Sequence, residues 1–213
     1  MARRAIRKVD SELDLSAHLV TFDELPRPWS TEALFGRQAP LEVEIGSGKG
    51  LFLLGAAAAE PAHDFLGIEV AGKYARYAAG RLARRGLNNA RLLTGDAVRL
   101  FAEWLPDDCL AAVHVYFPDP WWKKRHHKRR VMRESLVRDV ERTLQPGGAL
   151  HFWTDVEEYF QLSLDLIASC TRLAGPFEEP VAPAAHDLDY RTNYERRTRL
   201  AGQRVFRARF EKP

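Results

Sequence analysis

The stretch Leu41-Glu42-Val43-Glu44-Ile45-Gly46-Ser47-Gly48-Lys49-Gly50 decides the fold. Its first five residues read as a strand. Three glycines then allow a sharp turn, and the Ala- and Leu-rich run that follows reads as a helix. Strand, glycine turn and helix open an α/β unit, and such units hold ligands beyond the carboxyl ends of their strands. The spacing G-x-G-x-G matches neither the phosphate-cradling G-x-x-x-x-G-K-[ST] nor the dinucleotide G-x-G-x-x-G.

Outward from this turn, strands and helices alternate. Residues 64–70, 90–94, 111–117 and 149–154 read as further strands. Residues 72–86 read as a helix with Tyr74, Ala78 and Leu82 on one face. Residues 133–144 fit a helix through Leu136, Val137, Val140 and Leu144, stopped by Pro146-Gly147-Gly148. Residues 156–169 carry a buried stripe of Val156, Tyr159, Phe160, Leu164 and Ile167. The 180–194 stretch, with prolines and polar residues, reads as a long loop. Residues 203–210 alternate again and suit an antiparallel strand closing the sheet. The expected fold is α/β: a doubly wound, mostly parallel, Rossmann-like sheet with an antiparallel C-terminal strand. Residues 1–39 read as a basic, partly ordered arm, and 40–213 as the domain.

Glu44, two residues before the first glycine, would repel a pyrophosphate. It would attract a cationic amino-acid moiety, such as that of S-adenosylmethionine. Glu69 ends the second strand, where an acid can take both hydroxyls of a ribose. Asp96 ends the third, where it can reach the exocyclic amine of adenine. Acids at these three strand ends, with Gly46 and Gly48 between them, form the layout of a class I methyltransferase. The same acids can also cap helices.

The fourth strand runs into Tyr116-Phe117-Pro118-Asp119-Pro120-Trp121-Trp122, followed by a basic octet at 123–130 that holds six Lys or Arg and no acid. Prolines on both sides fix the backbone of Asp119. A carboxylate at the mouth of a sheet, flat aromatic surface and dense positive charge suit a polyanion with a planar base. Adjacent Trp121 and Trp122 cannot easily both face one core, which leaves one free to stack.

Composition sets bounds on these readings. The chain has 213 residues, enough for one domain with appendages, and a net charge of only +3. Charge therefore matters through its distribution: the octet, and the cluster Arg3, Arg4, Arg7 and Lys8. Two distant cysteines imply a reducing compartment without structural disulfides. No apolar run approaches the ~20 residues of a membrane span. The expected location is the cytoplasm. His126 and His127 lack Cys or acid partners in metal spacing, so no metal site is expected.

At this point the chain resembles the bacterial tRNA (guanine-N7-)-methyltransferase family. The matching pieces are residues 41–50, Gly-Ile-Glu-Val at 67–70, Gly-Asp-Ala at 95–97, the block 117–130, Thr154-Asp155 and Thr-Asn-Tyr-Glu-Arg-Arg at 192–197. The resemblance implies transfer of a methyl group from S-adenosylmethionine to N7 of the guanine at position 46 in the tRNA variable loop. It implies cofactor binding by Glu44, Gly46, Gly48, Glu69, Asp96 and Asp119, with Asp119 also catalytic. Lys123, Asp155, Thr192, Asn193, Tyr194 and Glu195 would contact the substrate guanosine. Arg125, His126, His127, Lys128, Arg129 and Arg130 would contact RNA. The partner is tRNA, with no membrane, and the protein a monomer or homodimer. Trp122 sits where the family is often polar, and no essential role attaches to it. Thr192-x-x-Glu195 also reads as a capping box.

Two other readings stay open on sequence. One is a methyltransferase for an exocyclic amine, although Trp121 stands where those enzymes carry a second proline. The other is a non-catalytic RNA-binding module on the same fold. The favoured reading requires Glu44 and Asp119 to face one shared space.

Overall fold

The computed structural model describes residues 9–180, 183, 184, 186 and 189–213, apart from the side chains of Lys124, His127 and Lys128. The expected arginine-rich tip therefore lies outside the described residues. One eight-stranded sheet organises the chain, in the order β1-β4-β3-β2-β5-β6-β8-β7. The strands are β1 (Leu19–Val20), β2 (Leu41–Ile45), β3 (Asp64–Glu69), β4 (Ala90–Thr94), β5 (Leu110–Tyr116), β6 (Leu144–Thr154), β7 (Ala174–Phe177) and β8 (Phe206–Glu211). Neighbouring pairs from β1 to β6 are parallel; β8 runs antiparallel to both β6 and β7.

The central strands are largely apolar because helices cover both faces. On one face lie α2 (Leu51–Ala59) and α3 (Gly72–Ala83), packing Leu53, Leu54, Ala75, Ala78 and Leu82 against Phe65 and Leu92. On the other lie α4 (Ala97–Glu103), α5 (Glu134–Thr143) and α6 (Glu157–Cys170), burying Leu100, Phe101, Leu136, Val140 and Ile167 against Val113 and Phe152. Chain order reverses between β2 and β5, which are hydrogen-bonded neighbours. The crevice at such a switch point is where open α/β sheets bind ligands.

The expected doubly wound sheet is present, with differences at its margins. The antiparallel C-terminal strand does not close the sheet, because β7 lies outside it. Residues before Leu41 also reach the sheet. β1 pairs with β4, and Leu15, Val20, Leu25 and Leu34 of this stretch are buried in the two cores, Leu34 from the short helix α1 (Thr31–Phe35). Helix α3 stops before Arg84. Gly86 adopts φ +64°, Gly86 N–H donates to Ala83 O, and Leu87 N–H donates to Leu82 O at 3.2 Å, which closes the helix in a Schellman motif. A last helix, α7 (Asn193–Leu200), which the sequence reading lacked, begins within the last two residues of the expected 180–194 loop. Cys109 and Cys170 are both free thiols. Among the described residues no helix is long and apolar enough to cross a membrane.

A polar ladder crosses the α2–α3 face of β2, β5 and β6. Glu42 accepts from or pairs with His63 (2.6 Å) and His114 (2.7 Å), His114 meets the Tyr116 hydroxyl at 2.9 Å, and His151 stacks on His114 and pairs with Glu179. Burial pulls His114 down to about 4, so it is neutral at pH 7. The ladder leaves the sheet through Arg191, whose guanidinium donates to the Tyr116 hydroxyl at 3.1 Å. These bonds offset the desolvation of polar groups under the helices.

Candidate active site

The glycine turn joins β2 to α2 and is pinned from β3. The N–H groups of Gly46 and Ser47 both donate to Ile68 O, at 2.9 and 3.0 Å. Gly50 cannot be replaced without movement. Its φ is +68°, and an added Cβ would lie 2.7 Å from Ala78 Cβ, so the close approach of α3 depends on it. Gly46, at φ +82°, has open space within 4 Å where a side chain would point. The turn thus presents bare backbone to a cavity of about 460 Å³.

That cavity lies beyond the carboxyl ends of β2, β3, β4 and β5. Gly46, Glu69, Asp96 and Asp119 all line it, together with Val70, Tyr116, Phe117, Trp121, Arg129 and Arg130. Glu69 is held from two sides: Gly48 N–H donates to one oxygen at 2.9 Å and Ala71 N–H to the other at 2.8 Å. Asp96 caps α4 through Val98 N–H at 2.9 Å. Both acids therefore do cap backbone, and both also face the cavity. Lone pairs beyond those used by the N–H groups remain for a ligand.

Glu44 stands apart. It is buried under the turn and is not part of this cavity's wall, so the expected common space with Asp119 is not open to it; its neighbours Ile45 and Gly46 form the wall above it. One carboxylate oxygen, Oε2, has no hydrogen-bond partner among the described residues. Burial pushes its carboxyl up to about 8, aided by the charge of Glu69 and opposed by Ser47. A buried, unpartnered acid next to bare glycine backbone suits a cationic donor, which would restore its charge.

The opposite wall is the loop 117–130. Phe117 and Trp121 both take positive φ, +51° and +44°, a region that side chains disfavour. Trp121 N–H donates to Asp119 Oδ1 at 3.2 Å. Arg130 turns inward: its Nε donates to Pro120 O at 2.7 Å and its guanidinium lies 5.1 Å from the Tyr159 ring centroid. Arg129 stacks over Trp121 at 5.1 Å, and His126 meets the same ring edge-on. Lys123 and Arg125 are exposed. His127 and Lys128 have no described side chains.

The C-terminal segment reaches this wall. Thr192 caps α7 by accepting from Glu195 N–H at 2.9 Å, and the Glu195 carboxylate receives Arg191 N–H. The capping box is therefore shifted by one residue. Glu195 is buried and also pairs with Arg207 at 3.0 Å and Arg199 at 3.2 Å. Exposed Tyr194 stacks on Phe117, with centroids 6.0 Å apart. Asn193 and Asp155 are exposed, the latter just beyond β6. Arg133 and Arg191 carry no site reading in the sequence, and Tyr116 and Val70 appear there only inside quoted motifs without a site role. Val70 had a signal: an apolar residue directly after a strand-end acid.

A larger cavity, of about 570 Å³, lies between α6, β7 and the start of β8. Its wall includes Phe160, Phe177, Glu179 and Arg204, but no glycine turn and no strand-end acid from β2 to β5. The arrangement that can hold a sulfonium donor beside a base is in the smaller one.

The sheet order, the glycine turn and the strand-end acids define the S-adenosylmethionine-dependent methyltransferase class. Solved structures agree on the fold. The aminoglycoside resistance methyltransferase NpmB1 superposes with a TM-score of 0.59 at 19% identity, over 89% of this chain and 95% of that one. A family described as "Putative methyltransferase" matches residues 38–208. The tRNA (guanine-N(7)-)-methyltransferase of Rhodopirellula baltica is 47% identical over all of this chain and 80% of its own length. That of Alcanivorax borkumensis is 41% identical over 85% of this chain and 76% of its own. The chain belongs to the tRNA (guanine-N(7)-)-methyltransferase family.

Proposed function

We propose that this protein transfers the methyl group of S-adenosylmethionine to N7 of a guanine in tRNA, in the variable loop, and that it works in the cytoplasm. The observation that carries the reading is the single cavity shared by Gly46, Glu69, Asp96 and Asp119, with the orphaned Glu44 oxygen beneath it. When bound, the cofactor supplies an electrophilic methyl carried on a sulfonium.

Glu44 and the Gly46–Gly48 backbone would hold the amino-acid end, Glu69 the ribose hydroxyls, and Asp96 the adenine amine. Guanine N7 has an in-plane lone pair and no proton, so no residue must act as base. The protein's task is placement, where effective molarity lowers the barrier. Positive charge develops on the purine, and Asp119 stabilises it while orienting the base through its N–H groups. Lys123, Asp155 and the Thr192–Glu195 segment complete the guanosine site; the Phe117–Tyr194 stack joins that segment to the cavity wall. Arg125, His126, His127, Lys128 and Arg129 would meet RNA, while Arg130, expected among them, ties the loop from within through Pro120 O. An exocyclic-amine reading lacks support here, because no second proline narrows the loop where Trp121 lines the cavity.

The test is incubation of unmodified tRNA with labelled cofactor, then reduction and aniline scission. Cleavage at one labelled guanine supports the reading. Label on another atom, or no label, overturns it.

A further inference from the structure

From Val70 to Gly95 the sequence holds Lys73, Arg76, Arg81, Arg84, Arg85 and Arg91 and no acid. Lys73, Arg76, Arg84 and Arg85 lie exposed on or just past α3, and none has a carboxylate partner among the described residues. The opposite face of the sheet differs. There Arg99 pairs with Glu103 (3.0 Å), Arg138 with Glu134 (2.9 Å), Arg142 with Asp107 (2.9 Å) and Arg172 with Glu141 (3.7 Å). A row of unpaired cations repels itself, and although the chain carries 29 acids, none of the described ones is placed beside it.

Three further facts give the row a direction. First, α3 begins directly after Glu69 and Val70, which line the cavity, so its basic side starts at the cavity mouth. Second, Arg81 folds back to the glycine turn, donating to Lys49 O at 2.7 Å, which fixes the helix to the site. Third, Val9 packs on α3, where a Cβ at Gly80 would approach its Cγ1 to 2.9 Å. The residues that precede Val9 in sequence include Arg3, Arg4, Arg7 and Lys8.

We propose that the exposed side of α3 is a second contact surface for the RNA sugar–phosphate backbone, holding a part of the RNA away from the target base. The inference rests on the tRNA reading above and extends it. At 1.5 Å per residue, α3 offers about 18 Å of basic surface, enough for several phosphates. A lipid surface fits less well, because the apolar side of α3 (Ala75, Ala78, Ala79, Leu82) is buried in the core and has nothing to insert.

The test is the triple variant Arg76→Gln, Arg84→Gln, Arg85→Gln, which leaves Arg81 in place and keeps good helix formers. Dissociation constants for tRNA are measured from low to physiological salt, beside the control Arg99→Gln, Arg138→Gln on the paired face. The triple variant should bind tRNA at least tenfold more weakly, with a log–log salt slope shallower by about 2–3, and with unchanged S-adenosylmethionine affinity. The control should match wild type. Wild-type tRNA affinity and slope in the triple variant would overturn the inference, as would an equal loss in the control. So would tRNA affinity left intact while binding to phosphatidylserine vesicles is lost. Methyl transfer by the wild-type protein is scored separately: its absence would sink the reading above, while the affinities still decide the α3 surface.

Discussion

The two walls of the cavity are built on opposite principles. The donor wall, from β2, β3 and β4, is rigid: its acids are fixed by backbone N–H groups, and Glu44 is sealed under the turn. The loop wall, 117–130, mixes exposed and half-buried side chains among those described, takes two positive-φ side-chain residues, and is tied by single contacts such as Arg130 to Pro120 O. Under the proposed function, a donor shared by many methyltransferases would be met by fixed geometry, and a base held within a folded RNA by a wall that presents charge and aromatic surface. Substitutions on the two walls should therefore separate: donor affinity on one, turnover and RNA grip on the other.

Asp119→Asn should break the comparison most sharply. Turnover should fall about 10²–10³-fold, far more than S-adenosylmethionine affinity by calorimetry. Equal losses in both would erase the distinction between the walls.

Glu195→Ala comes next and acts through stability. Glu195 and Arg207 form a buried pair, and removing one partner costs about 3–5 kcal/mol. A denaturant midpoint matching wild type would show that the segment holding Thr192 to the loop wall does not depend on this acid.

Glu44→Gln sharpens the donor side. The Glu44 carboxyl lies at about 8 in the fold against an ordinary 4.5. Below pH 4.5 both folded and unfolded chains are protonated and nothing is lost. Between 4.5 and 8 the unfolded chain ionises while the fold keeps its proton, so the cost to stability grows with pH. The variant should gain thermal stability over wild type from pH 5 to pH 8, while donor affinity drops about tenfold or more, the loss of a charge-assisted bond. Wild-type donor affinity should itself improve as pH rises from 6 towards 8. A flat profile would show that Glu44 does not meet a cation.

Arg130→Ala should reduce turnover about tenfold by loosening Asp119 and leave the salt dependence of tRNA binding unchanged, unlike Arg125→Ala. The smallest effect belongs to Trp122→Ala. That ring is 60% exposed and makes no contact with the cavity, so stability should shift by less than about 0.5 kcal/mol and turnover should hold.

Much of this was legible in the sequence, and physics says why. Strands β3, β4 and β5 are mostly buried, so they appear as largely apolar runs, and the turn at Gly46–Gly50 announces itself by glycines, which accept positive φ without a side-chain clash. Asp119 was legible from its two prolines. The sheet edges were not. β1 has two residues, and β7, with Gly175 and Pro176 and all four residues exposed, has no alternation to detect. Within the octet, composition cannot say which cation folds back, and Arg130 does so only because Pro120 O and the Tyr159 ring lie within reach. Glu44 was placed at the right strand end, but its burial depends on Ser47 and the turn closing over it. The unpaired state of the α3 arginines needs the positions of every acid, which only the fold supplies.

The most direct measurement is a crystal structure with S-adenosylhomocysteine bound. The account predicts its ammonium at Glu44 and Gly46, its ribose on Glu69, and its sulfur opening towards Asp119 and Trp121. Occupancy of the cavity between α6, β7 and β8, or a sulfur turned away from Asp119, would contradict it.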